Sequence, residues 1–397
     1  MEVSMTNRSV LISGASVAGP ALAYWLGRYG FEVTVVEIAP SLRGGGYAVD
    51  FRGPTHLGVL ERMGVLDDLR AVQTGGSPMT FVDERDRTLL HLPGEFAGGD
   101  VEVLRSDLSR ILYERSRDRA EYVFGVSIRA LTETSDGVHV TFAGGTERVF
   151  DLVIGADGIH SGVRRLVFGP ESEFVSFLGY YVACWELPNR FGVTSGSYAH
   201  NALGRMASFG VDHRDGTKAG AMVVFASAEL DYDRHDLDQQ KRLIAEAYQG
   251  MSWRVPELLD SLERAEELYF DSISRSDVPS WSKGRVALVG DAAAGATLGG
   301  MGTGAAVVAA YVLAGELSTS DGDYRSAFRR YENTLRAFAE GCQKGGNRTG
   351  KFLAPRTVFG LAARNRLLST SALMRLMLKV GKEVSDRVDL ADYPLAG

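Results

Sequence analysis

Cysteine is scarce in this sequence. Only Cys184 and Cys342 are present, far apart in the chain, with neither in a Cys-x-x-Cys pair and no histidine cluster beside them. A disulfide framework or a zinc site needs several such ligands at close spacing, so the sequence suggests neither class of site. We predict two reduced thiols in the core and no metal.

Long apolar runs are also absent. Residues 10–26 are interrupted by Gly14, Gly19 and Pro20, and residues 305–317 fall short of the roughly 18 apolar residues that suggest a membrane span. The first residues lack the basic start of a signal peptide. We therefore predict a cytoplasmic protein without membrane association.

Positive charge is the third shortage. The chain carries 43 Lys and Arg residues against 50 Asp and Glu residues, which leaves a formal charge of −7 at pH 7. Nucleic-acid binding depends on clustered cations that neutralise phosphates, so this balance argues against a nucleic-acid partner. Only local basic patches could bind a phosphate group.

What is present is a long globular chain. Its 397 residues exceed an ordinary domain of roughly 100 to 200 residues, which predicts two lobes and an appendage. An apolar strand at residues 285–289 follows the alternating runs of the second lobe, so the first lobe is discontinuous. The predicted division is a first lobe of residues 6–72, 98–174 and 272–323, a mostly antiparallel second lobe of 73–97 and 175–271, and a C-terminal helical cap of 324–397.

The start of the chain has the pattern of a strand, a helix and a second strand. Residues 9–13 are β-branched and aliphatic, residues 18–29 have helical spacing, and residues 31–36 alternate before an acidic residue. Parallel strands need a crossover of this length, so the pattern predicts a βαβ unit. We therefore predict an α/β fold with a Rossmann-like, doubly wound sheet in the first lobe.

A glycine-rich turn joins the first strand to the helix. Gly14 permits the tight turn, Gly19 lets the helix pack closely on the strand, and Ser16 replaces the usual second glycine. A pyrophosphate would lie at the helix N-terminus, and the carboxylate of Glu37 would bind a ribose hydroxyl. The candidate dinucleotide-binding residues are Gly14, Ser16, Ala18, Gly19 and Glu37.

Two later motifs help to separate FAD from NAD. Asp157-Gly158 lies within Gly-Ala-Asp-Gly-Ile-His-Ser-Gly-Val-Arg at residues 155–164, and Gly290-Asp291 follows the strand at 285–289. Each motif places a carboxylate at the carboxyl end of a strand, where ligands of open α/β sheets bind.

Together these motifs resemble those of class A flavoprotein monooxygenases with the para-hydroxybenzoate hydroxylase fold. The resemblance covers nearly the whole chain and preserves the motif order, with Arg105 in Glu-Val-Leu-Arg-Ser-Asp-Leu at 102–108. Within that family the sequence is most similar to the tetracycline destructases. The matching segments are residues 18–26, 45–53, 281–285 and 311–317.

The resemblance implies an FAD enzyme that uses NAD(P)H and O₂ and acts through a flavin C4a-hydroperoxide, without a protein nucleophile. Glu37 would bind the adenosine ribose, Arg105 would lie near the flavin and ribityl chain, and Asp291 would hold the ribityl or pyrophosphate region. Asp157 would brace the phosphates and assist NAD(P)H binding. Further cofactor candidates are Arg43, Asp50 and Gly302.

The loop at residues 294–304 departs from the family. The family loop usually carries proline and ends in a Gly-x-Gly-x-Asn-like segment beside the flavin. Here the loop has no proline, is one residue shorter than in the destructases, and ends at Gly304 without the asparagine. Additional glycine gives the backbone more freedom. Weaker FAD retention, an altered reaction with oxygen or a different substrate could follow.

Aromatic and basic residues on predicted strands of the second lobe are candidates for substrate binding. Tyr180, Trp185, Arg205 and Phe225 could surround a flat polycyclic ligand. Alternation along a strand would turn about half of such residues away from any cavity. His56 and His213 are expected to be structural or exposed.

The sequence therefore predicts a monooxygenase that hydroxylates a bulky aromatic or enolic molecule, tetracycline-like or polyketide. Two alternatives stay open. One is a flavin oxidase or dehydrogenase that never hydroxylates, and the other is a non-catalytic polyketide-binding protein. The oligomeric state is left open between monomer and homodimer.

Overall fold

A computed structural model describes residues 8–42, 44, 48–76, 78–212, 214–299, 301–346, 348–369, 388 and 390–394 of the chain. Arg43 and His213 lie outside the described residues. The strands are β1 (Ser9–Ser13), β2 (Glu32–Glu37), β3 (Ala48–Phe51), β4 (Met79–Val82), β5 (Thr88–Leu92), β6 (Val101–Leu104), β7 (Ala120–Phe124), β8 (Ile128–Glu133), β9 (Val138–Phe142), β10 (Glu147–Phe150), β11 (Leu152–Gly155), β12 (Val175–Pro188), β13 (Ser197–Ala202), β14 (Arg205–Val211), β15 (Lys218–Ala226), β16 (Tyr269–Asp277), β17 (Ser282–Lys283), β18 (Val286–Leu288) and β19 (Ala294–Ala296).

The helices alternate with these strands in the first half of the chain and dominate its C-terminal part. They are α1 (Ala18–Arg28), α2 (Gly53–Met63), α3 (Leu66–Ala71), α4 (Gly94–Gly98), α5 (Arg105–Ser116), α6 (Gly162–Val167), α7 (Leu237–Tyr248), α8 (Val255–Glu263), α9 (Gly302–Ser318), α10 (Tyr324–Gly346), α11 (Thr349–Leu353) and α12 (Val358–Leu368).

A six-stranded sheet forms the centre of the first lobe, in the order β17-β18-β11-β1-β2-β7. All neighbours are parallel except β17 and β18. Val10, Leu11 and Ile12 are fully buried because helices and the β8–β10 meander leave neither face to water. The predicted α/β, Rossmann-like sheet is confirmed, and β7 adds an edge strand that sequence periodicity did not indicate.

The second lobe is an eight-stranded sheet in the order β19-β16-β12-β15-β14-β13-β4-β5. Its pairs are antiparallel apart from β13 and β4, which run parallel. Helices α7 and α8 cover one face through an aromatic and aliphatic core, and sequence reasoning had not placed these helices. The prediction of a mostly antiparallel sheet lobe is confirmed.

The C-terminal helices close the molecule. α9 is buried along most of its length and packs against α1, α2 and α10. α11 lies against β12 and β15, while α12 lies against β5. Of the helices that the structure describes, none is long and apolar enough to cross a membrane. The three-part division of the chain stays a prediction.

Candidate cofactor and substrate site

The turn between β1 and α1 has no room for side chains at its two glycines. Gly14 has φ +109°, and a Cβ atom there would lie 2.5 Å from the carbonyl oxygen of Ala156. A Cβ atom at Gly19 would lie 1.8 Å from the carbonyl oxygen of Gly14. The helix therefore approaches the strand as closely as a dinucleotide-binding turn requires.

Two helix N-termini lie at this end of the molecule, because a Cβ atom at Gly290 would lie 3.2 Å from Ala18 Cβ in the first turn of α1 and 3.3 Å from Ala306 Cβ near the start of α9. Among the described side chains, none caps α1 after Val17 or α9 after Met301, and neither first turn holds an acidic residue. Ser16 and Ala18 flank the start of α1. The free N–H groups and the helix dipole favour an anionic ligand such as a pyrophosphate.

Glu37 ends β2 beside this turn. Its carboxylate accepts hydrogen bonds from the backbone N–H of Ala15 at 2.9 Å and from that of Ala39 at 3.0 Å. These bonds hold the carboxylate at the glycine-rich turn. This is the place from which a carboxylate binds a ribose hydroxyl.

Arg105 connects the turn with the Gly290-Asp291 motif. Its side chain donates a hydrogen bond to Ser16 Oγ at 3.2 Å. Burial raises the pKa of Asp291, and the nearby Arg105 guanidinium opposes that shift. Three residues from distant parts of the sequence therefore meet at one site.

The loop around Asp291 consists of small residues, and this lets backbone approach the carboxylate. A Cβ atom at Gly295 would lie 2.2 Å from Asp291 Oδ1, and one at Gly302 would lie 3.1 Å from the same atom. Gly302 begins α9, so the carboxylate lies beside an uncapped helix N-terminus. The loop is also anchored, since β19 pairs with β16 and the Gln343 side chain donates to Gly295 O at 3.3 Å.

Asp157 is engaged by the protein itself. Its carboxylate accepts hydrogen bonds from Ser161 Oγ, from the backbone N–H of Val163 at 3.1 Å and from Ser13 Oγ at 3.4 Å. Burial raises its pKa, and these hydrogen bonds oppose the shift. The geometry gives Asp157 the role of bracing the loops after β1 and β11.

Arg164, which sequence reasoning did not single out, links both aspartate motifs. The side chain is fully buried and donates to the carbonyl oxygen of Ala292 at 3.1 Å and to that of Ile159. It therefore supports the backbone next to Asp291. Its place at the end of the 155–164 motif was the available signal.

Asp50 lies on β3, which pairs with β6 directly before Arg105. Arg52 forms an ion pair with Asp50. Burial raises the pKa of Asp50, and the Arg52 guanidinium opposes the shift. Asp50 therefore lies near the assembled site with its charge already paired.

These residues fit FAD. Each part of the site matches an adenine dinucleotide in charge and in hydrogen-bonding type. The tight turn and the uncapped helix N-termini suit the pyrophosphate, the Glu37 carboxylate suits a ribose hydroxyl, and Arg105 adds a cation beside the turn. Residues 7–340 also match the family model described as FAD binding domain.

The chain belongs to this family.

Relatives of this flavoprotein are named as monooxygenases. A flavin-dependent monooxygenase of Legionella longbeachae is 37% identical over 86% of this chain and 88% of its own length. The crystal structure of tetracycline destructase Tet(51) is 31% identical, with a TM-score of 0.86 over 98% of this chain and all of that chain. Tetracycline destructase Tet(55) is 34% identical, with a TM-score of 0.82 over 98% and 99%.

The comparisons confirm the predicted family, the FAD cofactor and the class A monooxygenase fold. The flavoprotein is an oxidoreductase of the FAD-dependent monooxygenase class. It shares its fold with the destructases along almost the whole chain.

The four substrate candidates do not come together. Trp185 Nε1 donates to Ser261 Oγ at 2.9 Å, Arg205 donates to the carbonyl oxygen of Ala247 at 3.1 Å, and Phe225 packs edge-on against Tyr248. All three side chains therefore lie on the face covered by α7 and α8. Their expected place in one aromatic wall around a ligand is not supported by this geometry, because that face is filled by the flavoprotein's own core.

Tyr180 lies on the opposite face, with Val182 and Ile273. Leu298 of the glycine-rich loop packs on the same cluster, which joins this face to the loop that follows Asp291. The Tyr180 side chain is 2% exposed, and its hydroxyl has no hydrogen-bond partner among the described residues. The hydroxyl is therefore a buried donor for which the described residues supply no acceptor.

The same face carries two arginines from the C-terminal part. Arg356 lies over the Tyr180 ring at 4.7 Å, and Arg364 lies over the Phe81 ring at 4.2 Å. Burial lowers the pKa of Arg364 to about 10, and its guanidinium donates to Asn201 Oδ1 at 2.8 Å. This face of the flavoprotein is therefore the polar and cationic one, whereas the face under α7 and α8 is aromatic core.

Proposed function

We propose that this flavoprotein is an NAD(P)H-consuming monooxygenase that hydroxylates a bulky aromatic or enolic small molecule, tetracycline-like or polyketide. One observation carries the proposal. Ser16, Arg105 and Asp291 come together where the glycine-rich loop begins, and Leu298 of the same loop packs on the Tyr180 face. The likeness to two tetracycline destructases over 98% of the chain supports this substrate class.

FAD, when bound, supplies the activation of O₂ and the transfer of one oxygen atom, which protein side chains cannot perform alone. The protein positions both partners. Glu37 and Arg105 would hold the nucleotide, Asp291 lies beside the start of α9, and Asp157 and Arg164 brace the backbone around it.

Substrate recognition is assigned to the Tyr180 face of the β-sheet. Tyr180 would donate its unpaired hydroxyl to a carbonyl or enol oxygen of the substrate. Arg356 and Arg364 would make the surroundings favourable for an enolate or phenolate, because their described hydrogen-bond partners are the neutral oxygens of Gly179 and Asn201 and not carboxylates. Trp185, Arg205 and Phe225 are left to the core.

The composition of the glycine-rich loop is the observation that favours the alternative of a flavin oxidase or dehydrogenase. A loop with Gly295, Gly299, Gly302 and Gly304 has less backbone restriction than a proline-containing loop. Loose packing would admit water and favour release of hydrogen peroxide without hydroxylation. A protein that binds a polyketide without FAD chemistry is the other outcome to be tested.

The proposal is tested with the purified, FAD-loaded protein, tetracycline as probe, and NADH or NADPH as reductant. We expect tetracycline to stimulate reductant oxidation and to gain one oxygen atom in the product mass. Stimulated oxidation that yields only hydrogen peroxide would establish the oxidase alternative. A colourless protein that binds tetracycline would favour the binding protein, and a yellow protein without any response would remove tetracycline as substrate.

A further inference from the structure

A small apolar pocket lies beside the Gly290-Asp291 turn, between the start of α9 and the middle of α10. It leaves about 20 Å³ of space for the centre of a water-sized sphere, which is room for one small molecule. The pocket therefore joins the cofactor motif to the interior of the C-terminal helices. Its wall is formed mostly by alanine methyl groups and aromatic rings, among them those of Trp281, Ala306, Ala309, Tyr331, Phe338 and Ala339.

The open side of this pocket is formed by the cofactor motif. Gly290, Ala294 and Ala305 are half-buried, whereas the other described residues that line the pocket are buried. Gly290 directly precedes Asp291 and lies between the starts of α1 and α9. Ala294 belongs to the glycine-rich loop, and Ala305 lies in the first turn of α9. The pocket therefore opens at the candidate cofactor site and is closed towards α10.

The wall offers little to a polar molecule. Among the described residues that line the pocket, none is charged. The Tyr331 hydroxyl already donates to the carbonyl oxygen of Leu288 at 3.1 Å, and the Trp281 Nε1 atom is inaccessible. A buried water needs about two to four polar partners, and a charged group loses its hydration without compensation. The pocket therefore suits an occupant that is small, uncharged and apolar.

We propose that this pocket is a docking site for O₂ on its way to bound FAD. Among the reactants of an FAD-dependent monooxygenase, O₂ is the small apolar one, whereas the reductant and an organic substrate are too large for this space. The apolar wall raises the local concentration of O₂, because apolar solutes leave water for apolar surroundings. The open side at Gly290 and Ala305 leads to the cofactor. This inference rests on the proposed oxygen chemistry and not on the identity of the organic substrate.

The first test detects O₂ in the pocket of the oxidised, FAD-loaded protein. Alanine methyl groups are labelled with ¹³C, and their NMR relaxation is compared under raised pressures of O₂ and of nitrogen, because O₂ is paramagnetic. We expect strong additional relaxation at Ala306 and Ala309. The controls are Ala310 and Ala314, which are fully buried on the same helix and do not line the pocket. Equal relaxation at both pairs would overturn the proposal, as would the absence of any effect because FAD or water fills the pocket.

The second test narrows the pocket from α10 with Ala339→Val. Its matched control is Ala337→Val, because Ala337 is exposed on the same helix. Photoreduced FAD is mixed with O₂ in the absence of NAD(P)H and substrate, so that two electrons pass from the flavin to O₂ and hydrogen peroxide forms. Ala339→Val should slow this reoxidation about fourfold, which corresponds to losing the apolar burial of roughly one methylene group.

Both variants should bind FAD like the parent, because position 339 lies on the closed side of the pocket. Unchanged reoxidation in Ala339→Val would overturn the role of the pocket in O₂ delivery. Reoxidation needs no organic substrate, so a failure of the proposed hydroxylation would leave this result unaffected.

Leu335→Ala changes the pocket in the opposite direction and keeps the proposal testable if Ala339→Val does not fold. Leu335 is buried and lines the pocket, so its removal enlarges the space. The O₂ effect at the Ala309 methyl group should increase, and reoxidation should be at least as fast as in the parent. Leu262→Ala is the control, because it creates a cavity under α8 in the second lobe. Slower reoxidation in Leu335→Ala than in Leu262→Ala, at equal FAD loading, would contradict the proposal.

Discussion

The two lobes build their sites in opposite ways. In the first lobe, Ser16, Arg105 and Asp291 are far apart in sequence and meet, because the parallel strands β1 and β18 deliver Ser16 and Asp291 to one edge of the sheet and the β3–β6 ribbon brings Arg105 to the same place. In the second lobe, Tyr180 and Trp185 are close in sequence and separate, because β12 sends them to opposite faces. Nearness in sequence is therefore a poor guide to a shared site on an antiparallel sheet.

The cofactor site of the first lobe and the α7–α8 face of the second lobe also differ in what surrounds them. The site of the first lobe is closed by backbone packed against backbone and by a few charged side chains. The second lobe is held by aromatic stacking, with Tyr181 against Phe225 at 5.6 Å and against Phe270 at 5.4 Å. Substitutions in the first lobe should therefore change cofactor affinity, and those under α7 and α8 should change stability.

The largest effect is expected at Gly19. Gly19→Val would drive a side chain into the carbonyl oxygen of Gly14, so the turn must open and FAD affinity should fall by at least about a hundredfold. Gly30→Ala is the control at the other end of α1, where no described heavy atom lies within 4 Å of the added Cβ. Gly30→Ala should cost about 1 kcal/mol of stability, because an alanine is strained at the positive φ of +82° that Gly30 adopts. FAD binding should stay intact, because the added methyl group collides with nothing. Calorimetric titration and the yellow colour of the purified protein report FAD binding in both variants. Full FAD binding by Gly19→Val would contradict the prediction that the turn has no room for a side chain at position 19.

The two faces of the second lobe are distinguished by Phe225→Ala and Tyr180→Phe. Phe225→Ala should lower the free energy of unfolding by about 3 to 5 kcal/mol, because it empties the stack under α7. Tyr180→Phe should change it by less than about 1 kcal/mol and raise KM for the hydroxylated substrate about fivefold. Urea denaturation and steady-state kinetics separate the two. If Phe225→Ala raised KM without lowering stability, the substrate would lie on the Phe225 face, which would contradict the proposed site on the Tyr180 face.

At Arg105 we expect an intermediate loss. Arg105→Met removes the cation that bonds Ser16 and faces Asp291, so FAD affinity should fall about ten- to a hundredfold. Arg110→Met lies on the same helix, and its exposed guanidinium pairs with Glu114 at 3.2 Å. That control should bind FAD like the parent. Equal affinity of both variants, measured by fluorescence titration, would remove Arg105 from the cofactor site.

The smallest effect concerns the contact between the lobes at His160. His160 Nδ1 lies 2.9 Å from Glu171 Oε1, and Nε2 lies 3.0 Å from Asp271 Oδ1 on β16. Burial alone would lower the pKa of His160, but the hydrogen bonds with Asp271 and Glu171 outweigh it and raise the pKa. Protonated His160 therefore stabilises the folded state below the unfolded pKa of about 6.5, and this contribution disappears as pH rises through the folded pKa.

His160→Gln tests this contact by melting temperature between roughly pH 6 and pH 9. The parent should be more stable than the variant at the acidic end, and the difference should shrink as pH rises. FAD affinity should be similar in both proteins. If the difference in melting temperature between parent and variant did not change with pH, protonated His160 would not stabilise the contact between the lobes.

Much of the first lobe could be predicted from the sequence. The turn at Gly14 and Gly19, the carboxylate of Glu37 and the Gly290-Asp291 motif are local patterns in which residue type and spacing are set by backbone geometry. The strand and helix around them follow from apolar periodicity. The structure brings these residues together at the predicted end of the sheet.

The contacts of other residues could not be read from the sequence. The ring of His56 lies opposite Gly304, and Arg164, although it ends the 155–164 motif, donates to the distant carbonyl oxygen of Ala292. Helices α7 and α8 carried a local signal that sequence reasoning overlooked, because their buried residues Ile244, Tyr248, Leu258 and Leu262 recur at helical spacing. What no short window contains is the face of the sheet on which these helices pack.

The sequence by itself determined the cofactor motifs and the order of the two lobes, because glycine turns and strand-terminal carboxylates carry their conformational requirements locally. Only the tertiary structure decided which face of β12 meets the glycine-rich loop. Alternation shows that Tyr180 and Trp185 point apart, but it does not show what covers each face, and in the structure α7 and α8 pack on the Trp185 face while Leu298 of the glycine-rich loop packs on the Tyr180 face.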